Sequence, residues 1–542
     1  MATEPNDVAV QLAKRLSKLE SERGQWEYHW QQLAEYILPR KADINVKRTP
    51  GDKRMELVFD GTAIHAAEML SASLHGMLTN PYSPWFDLRY RNEEMNVDDE
   101  AKEYLEEVTD QLHKAFQRSN FSEQIHELYM DLVVFGTGVC FIEADEDFDL
   151  RFSTRHIKEC FLVENQLGRV DTVYRKFTLP VRALAQQFGE ENIGEKFQRK
   201  LKAEPHDEVT IVHVVMPRTD RDAQKIDAKN MPFASLYFDP DQKIVLGESG
   251  FREMPYVTPR FLKSSYEKGY GRSPSMTALP DVKMINRMSE VTIKAAQKQV
   301  DPPLMVPDDG FILPVRTRPG GLNFYRSGTR DRIEPLQIGA NNPLGLNLEE
   351  QRRQAIRAAY YVDQLVLGTG PQMTATEVVQ RTEEKMRLLG PVLGRLQAEL
   401  LQPMIDRAFN IMVRQNRFPA PPPAIADMDI EIEYVSPLAR AQRQNDLQAI
   451  MRMFEIMSPA ASIDPSVFDH VDFDGLVRHL LGVLHVPARV SQGEAQVMAK
   501  REQRAEAEQA QMQQMEAMQT AEALGAAAPA MKVLQQGNQA GF

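Results

Sequence analysis

Cysteine is close to absent. Only Cys140 and Cys160 occur in 542 residues, which excludes a disulfide framework and fits a reducing compartment. Long apolar runs are missing as well. The longest, LVVFGTGVCFI (Leu132–Ile142), falls far short of the ~20 residues of a membrane-spanning helix. The opening MATEPNDVAV has neither the basic flank nor the apolar centre of a secretory leader. The expected setting is therefore soluble and intracellular, with no membrane. Positive charge is not in excess: 64 Lys and Arg face 77 Asp and Glu, a formal net charge of −13. Proteins that grip nucleic acid tightly neutralise phosphates and are usually basic, so tight DNA binding is disfavoured while transient contact is not.

Catalytic signatures are also lacking. No Gly-Lys pair occurs, so there is no Walker-type phosphate loop. No GxSxG occurs, and Pro274 in GRSPS (Gly271–Ser275) would disrupt a nucleophile elbow. Gly136-Thr137-Gly138 and Gly368-Thr369-Gly370 read as turns. His126-Glu127 lacks the second histidine that a helical zinc site needs. Glu143, Asp145, Glu146, Asp147 and Asp149 invite a metal-dependent hydrolase reading, but acids packed this densely read first as a solvated loop. The two cysteines are expected as buried thiols. No catalytic role, metal or cofactor is expected.

What is present is an ordinary globular balance, 42% hydrophobic and 26% charged, long enough for several domains or one large multi-lobed subunit. Leu12, Leu16, Leu19, Trp26, Trp30, Leu33 and Ile37 make one apolar stripe, with Arg23 at the missing place. It predicts a long helix capped at Asn6 or Asp7 and stopped by Pro39. The heptads are few, so packing on its own subunit is expected rather than a coiled coil between subunits. Further helices are expected over Asp60–Thr79, Asp98–Ser119 and Ser122–Val134. Strands are expected at Trp85–Tyr90, Glu208–Arg218, Ala234–Asp239 and Lys243–Glu248, with a hairpin over Glu159–Phe177 turning at Asn165–Gly168.

From Gly271 the character changes. A helix over Ala278–Val300 leads into QKQVDPPLMVPDDGFILPVRTRPGG (Gln297–Gly321), whose prolines forbid helix. A second helix returns from Leu348 to Leu367, with Asn347 and Glu350 placed as a capping box. GTGPQMTAT (Gly368–Thr376) follows. A long helix then runs to about Arg417 with Pro391 and Pro403 inside it, so it should be kinked. PAPPPA (Pro419–Ala424) is a stiff connector, DIEIEYV (Asp429–Val435) a strand, and Leu447, Ile450, Phe454 and Met457 mark a helix. A shorter helix follows around Leu476–Leu484. The Ala-, Gln-, Glu- and Met-rich tail from Ser491 is either solvated or stable only beside copies of itself.

This order of parts resembles the portal, or head-to-tail connector, proteins of short-tailed phages. EYILPRK (Glu35–Lys41), NPYSPWFDL (Asn80–Leu88), GYGRSPSMTALPDVKMIN (Gly269–Asn286) and TGPQMTATEVVQRTEEKMRLLGPVLGRLQAELLQP (Thr369–Pro403) carry the likeness, in that order. After Ser436 the likeness is weak. The resemblance implies a predominantly helical α+β portal fold, assembled as a ring of twelve at one capsid vertex. It divides the chain into a wing (1–270), an outgoing stem helix (271–300), a clip (301–347), a returning stem helix (348–367), a tunnel loop (368–376), a kinked helix with a wing strand (377–435) and a crown (436–542).

The resemblance also implies a function. Genomic DNA would be packaged and ejected through the ring. The clip would dock the terminase large subunit and later a tail adaptor, with major capsid and scaffolding proteins as further partners. The chain would sit in the virion, and in host cytoplasm during assembly. Gly368, Thr369, Gly370, Pro371, Gln372 and Met373 would face the DNA, with Arg381 and Lys385 just beyond. Arg316, Arg318, Arg326, Arg330 and Arg332 would serve the clip, as ion pairs between subunits before DNA contacts, because Asp301, Asp308, Asp309, Asp331 and Glu334 offset them. The alternative is the metal-dependent hydrolase using the acids near Glu143.

Overall fold

The computed structural model describes residues 7–49, 51–91, 99–222, 224–225, 227–306, 314–316, 322–324, 333–335, 343–365, 387–423, 430–434, 447–459 (448 apart), 471–484, 496–515 and 518. The chain separates into two compact units. One holds 1–86, 111–418 and 434–439, the other 87–110, 419–433 and 440–542.

The first unit opens with α1 (Asp7–Ile37), the expected helix. It lies on a five-stranded antiparallel sheet of β4 (Cys160–Glu164), β5 (Val170–Pro180), β6 (Glu208–Pro217), β7 (Phe233–Asp239) and β8 (Ile244–Phe251), in that spatial order. Leu12 and Leu16 pack against Phe161, Tyr174, Val212, Val214 and Phe238, as expected of a helix packed on its own subunit. Alternation along β6 sends Val209 and Ile211 to the other face. There they meet α5 (Val181–Phe188) and α6 (Gly194–Ala203) through Leu184, Ile193 and Phe197. The hairpin turns at Asn165–Gly168 as expected, with Gly168 at φ 74°.

Arg23 explains the gap in the α1 stripe. It is 3% exposed. Its guanidinium donates to the carbonyls of Ile157 (3.2 Å), Lys158 (2.6 Å) and Cys160 (2.8 Å) and lies 3.5 Å over the Phe161 ring. A cation therefore sits on an apolar face because it satisfies backbone acceptors that no apolar side chain could satisfy.

A second layer is helical. Its members are α2 (Thr62–Leu78), α4 (Phe121–Phe135), α7 (Pro274–Val300) and α8 (Pro343–Ala359), and they pack on one another. A three-stranded sheet flanks α4. It consists of β2 (Cys140–Asp145) between β3 (Asp149–Thr154) and β9 (Tyr256–Val257). Gly136 ends α4 at φ 79°, and a side chain there would collide with the Gly271 backbone. Cys140 and Cys160 are free and buried, and burial pushes both thiols up to about 12.

The second unit takes all but the first residue of β1 (Phe86–Tyr90) and all but the last of β12 (Ile430–Tyr434), which pair, with Arg89 held 2.5 Å from Glu433. Phe86, Leu88 and Tyr90 are the buried alternates, as their spacing predicts. Part of α3 (Asp99–Arg118) belongs here. So does α12 (449–459), on which Ile450, Met453, Phe454 and Met457 are the less exposed positions. The chain continues through α13 (Phe473–Val483) and an exposed helix over 496–515. Arg501 ties the last two together through both Asp474 oxygens, at 2.6 and 2.7 Å.

Candidate functional site

The site is the antiparallel helix pair α7/α8 and the proline-rich segment it carries. α7 begins at Pro274, four residues before the sequence reading placed it. Ser273 caps it, its hydroxyl accepting from the Met276 amide at 3.1 Å, and proline occupies the first turn where no amide partner is needed. The same hydroxyl donates to the Val134 carbonyl, and Ser275 donates to the Val133 carbonyl. Tyr360, fully buried, donates to Ser275 at 2.7 Å. The root of the pair is thus bolted to the end of α4.

Higher up, Asn286, 2% exposed, accepts the Phe59 and Asp60 amides at 2.7 and 3.0 Å. Asp60 meets Arg353 at 3.0 Å, Arg353 meets Glu349 at 3.3 Å, and buried Glu349 accepts from Thr292 at 2.7 Å. Burial opposes ionisation of Asp60. Hydrogen bonds from Thr62 and Arg353 nonetheless hold its carboxyl below the usual range.

Val282, Ile285 and Ser289 are buried along one face of α7. Beyond them the pattern stops. Val291, Ile293 and Val300 are 54%, 44% and 87% exposed. Leu348 on α8 and Leu304 and Met305 just past α7 are also exposed. With 27 residues, α7 is about 40 Å long, and its distal turns stand clear of this chain's core. Leu304–Met305 (β10) pairs with Glu334–Pro335 (β11).

Two expectations are corrected. α8 starts at Pro343, so Asn347 and Glu350 lie inside it and form no capping box. Proline at the first position supplies the start instead. Nor does the returning helix run unbroken to Leu367. It stops at Ala359, the chain turns at Tyr361 with φ 58°, and α9 covers Val362–Leu365. Tyr360, seated in the core on Ser275, fixes the place of the break.

The expected kink near Pro403 is a π turn, Gln397–Leu401, between α10 (387–396) and α11 (Gln402–Arg414). One extra residue in the turn shifts the register just where Pro403 removes a donor. Pro391 lies within the preceding helix. Glu399 of the π turn accepts from the Arg260 amide, Nε and Nη2 at 3.1, 3.0 and 2.8 Å, and Arg260 also pairs with Glu164.

Of the expected site residues, Arg316 is exposed, and Asn323 clasps its backbone, accepting from its amide at 2.6 Å and donating to its carbonyl at 2.9 Å. Arg318, Arg326, Arg330, Arg332, Gly368, Thr369, Gly370, Pro371, Gln372, Met373, Arg381 and Lys385 lie outside the described residues. Periodicity missed Asn286, Arg353, Ser275 and Tyr360. Their roles depend on partners far away in sequence. Only the S-P-S run before α7 carried a local signal.

The acids near Glu143 are not one loop. Glu143 is in β2, and Asp149 is buried in β3, 2.6 Å from Arg417. Only Glu146 and Asp147 are fully exposed, at the hairpin tip. Strand pairing explains the difference, because Asp145 and Asp149 face each other across the turn. Among the described residues no group of His, Cys, Asp and Glu could hold a metal, so the hydrolase alternative gains no support. Among them, no helix is long and apolar enough to cross a membrane.

A family model for bacteriophage head to tail connecting proteins matches residues 9–491. The chain belongs to this family, the phage portal proteins. It is 32% identical to a probable portal protein of Bordetella phage BPP-1 over 92% of this chain and 91% of that one. It is 31% identical to the portal protein of Salmonella phage epsilon15 over 91% of this chain and 90% of that one. A chain from the virion of a native gene transfer agent particle matches at TM-score 0.35 and 12% identity, covering 77% of this chain and 94% of that one. That likeness is too slight to support the fold.

Proposed function

We propose that this portal chain assembles as a twelve-membered ring at one capsid vertex of the virion, around a channel for genomic DNA. In this reading α7 and α8 form the neck of the channel. The segment between them is the platform for the packaging motor, the terminase large subunit, and later for a tail adaptor. Major capsid and scaffolding proteins meet the rest of the ring. Residues 368–376 project towards DNA, with Arg381 and Lys385 behind them, and 436–542 form the crown. Assembly takes place in host cytoplasm, and the ring has no catalytic role.

One observation carries the reading. A helix pair is rooted in the core by buried hydrogen bonds, yet its distal turns leave Val291, Ile293 and Val300 exposed. Exposed Val291, Ile293 and Val300 on α7 and Leu348 on α8 are apolar area that neighbouring copies in a ring would cover. The net charge of −13 per chain supports a channel through which DNA slides without sticking.

The test replaces Arg316, Arg318, Arg326, Arg330 and Arg332 with alanine. Rings should still form, while binding to motor and adaptor falls and packaging is lost. Normal binding to both partners and normal packaging would remove the platform from this segment.

A further inference from the structure

We infer that the β2–β3 hairpin tip of one copy receives the 262–268 loop of the next. The inference rests on the ring reading and names a contact that builds the ring. Both surfaces are pre-formed. At the hairpin, Asp145 accepts from the Asp147 and Phe148 amides at 2.9 and 3.1 Å, and Asp149 takes φ 64°. Arg417 and Gln415 hold Asp149 from behind. The tip presents exposed Glu146 and Asp147 beside Phe148, which is 55% exposed. Next to it a cavity of about 520 Å³ opens between Phe148, Leu150 and Arg151 on one side and Arg118–Asn120, Ser122 and Glu123 on the other.

The second surface is the opposite in charge. Tyr266 is 91% exposed and Leu167 83%, with Leu262 half exposed. Two loops bring them together. Lys263 donates to the Gly168 carbonyl and to Glu164, Arg260 donates to the same carbonyl, and Glu164 accepts the Gly269 amide. Exposed Arg169 and Lys268 flank the apolar group. An exposed tyrosine with aliphatic neighbours and a charged rim is the composition of a binding hot spot.

The two surfaces lie at opposite ends of the segment 137–145. Thr137, three residues before β2, bridges to Arg260 beside the loop, whereas Asp145 ends the strand. Eight residues at about 3.3 Å each separate them by about 26 Å. One copy cannot join its own tip to its own loop, whereas two copies can do so head to tail, the relation that closes rings. The occupant is therefore a second copy: its Tyr266 enters the cavity, Leu167 and Leu262 cover Phe148, and Arg169 and Lys268 face Glu146 and Asp147.

The test introduces Phe148→Cys and Tyr266→Cys together in the full chain and adds a short bis-maleimide to assembled protein. Cys140 and Cys160 are buried and do not compete. A ladder of multiples of the chain mass is expected from the double variant, and none from either single variant. Separately, Glu146→Lys with Asp147→Lys should raise the concentration for half-assembly about tenfold or more, and adding Arg169→Glu with Lys268→Glu should restore it. Melting temperature reports whether each variant folds. Rings without a ladder would overturn the inference and leave the ring reading standing. A native chain that forms no rings would overturn both.

Discussion

Arg23 shows how one residue can contradict a pattern and still obey its physics. Truncation to alanine would strand three buried carbonyls at the start of β4. Each unsatisfied group costs on the order of 1–3 kcal/mol, so Arg23→Ala should destabilise by roughly 3–5 kcal/mol, measured by denaturant unfolding. Leucine at the same place should not rescue it, although leucine completes the stripe. Two buried histidines set a pH dependence. His156 is held down to about 3 by burial and by Lys41 and Lys158. His213 is held down to about 3 by burial and by Arg175 and Arg155, with Tyr256 and Ser235 on its ring nitrogens. Both bind a proton more readily once unfolded, near pH 6.5. Their contribution to stability is full above that pH and is lost as pH falls towards the folded value. Melting temperature should drop between pH 7 and 4, and less steeply in His213→Gln.

At the scale of elements, legibility followed the range of the interaction. The α1 stripe, the β4–β5 hairpin and the alternation of β1 are local, and the chain states them outright. α5 and α6 were not seen because 8 and 10 residues offer too few turns for a stripe to stand out from a loop. The break after α8 could not be read from propensity, because Tyr361 takes a left-handed backbone conformation that Gly, Asn or Asp would be expected to mark. Its cause is Tyr360 on Ser275, a pairing across 85 positions. The kink near Pro403 was legible, whereas the clamp on it was not, since Arg260 and Glu399 lie 139 positions apart. Glu399→Ala would leave Arg260, 2% exposed, short of a partner, and breaking such a pair costs roughly 3–5 kcal/mol. Hydrogen exchange should rise across 395–405 in that variant. Unchanged protection there would show that the π turn holds without the clamp. Asn286→Ala should loosen the 55–60 segment by a smaller amount, on the order of 1–3 kcal/mol.

For the whole molecule, family membership was legible as an order of short segments, none of them diagnostic alone. The candidate site was legible only in outline. Its two helices could be counted, but the hydrogen bonds that root them could not. Most residues named for DNA or partner contact lie in segments whose geometry the described chain does not include. If wing and stem make the ring, deletion of 491–542 should leave assembly intact, as seen by native mass measurement; loss of assembly would transfer that role to the C-terminal helix. The central claim is that a bare helix pair exists to be covered by copies of itself around a channel. Electron microscopy of the purified full chain, with native mass measured alongside, tests it most directly. Annular particles with an axial hole and a mass near a dozen copies are expected. A monodisperse monomer or dimer under assembly conditions would contradict the account.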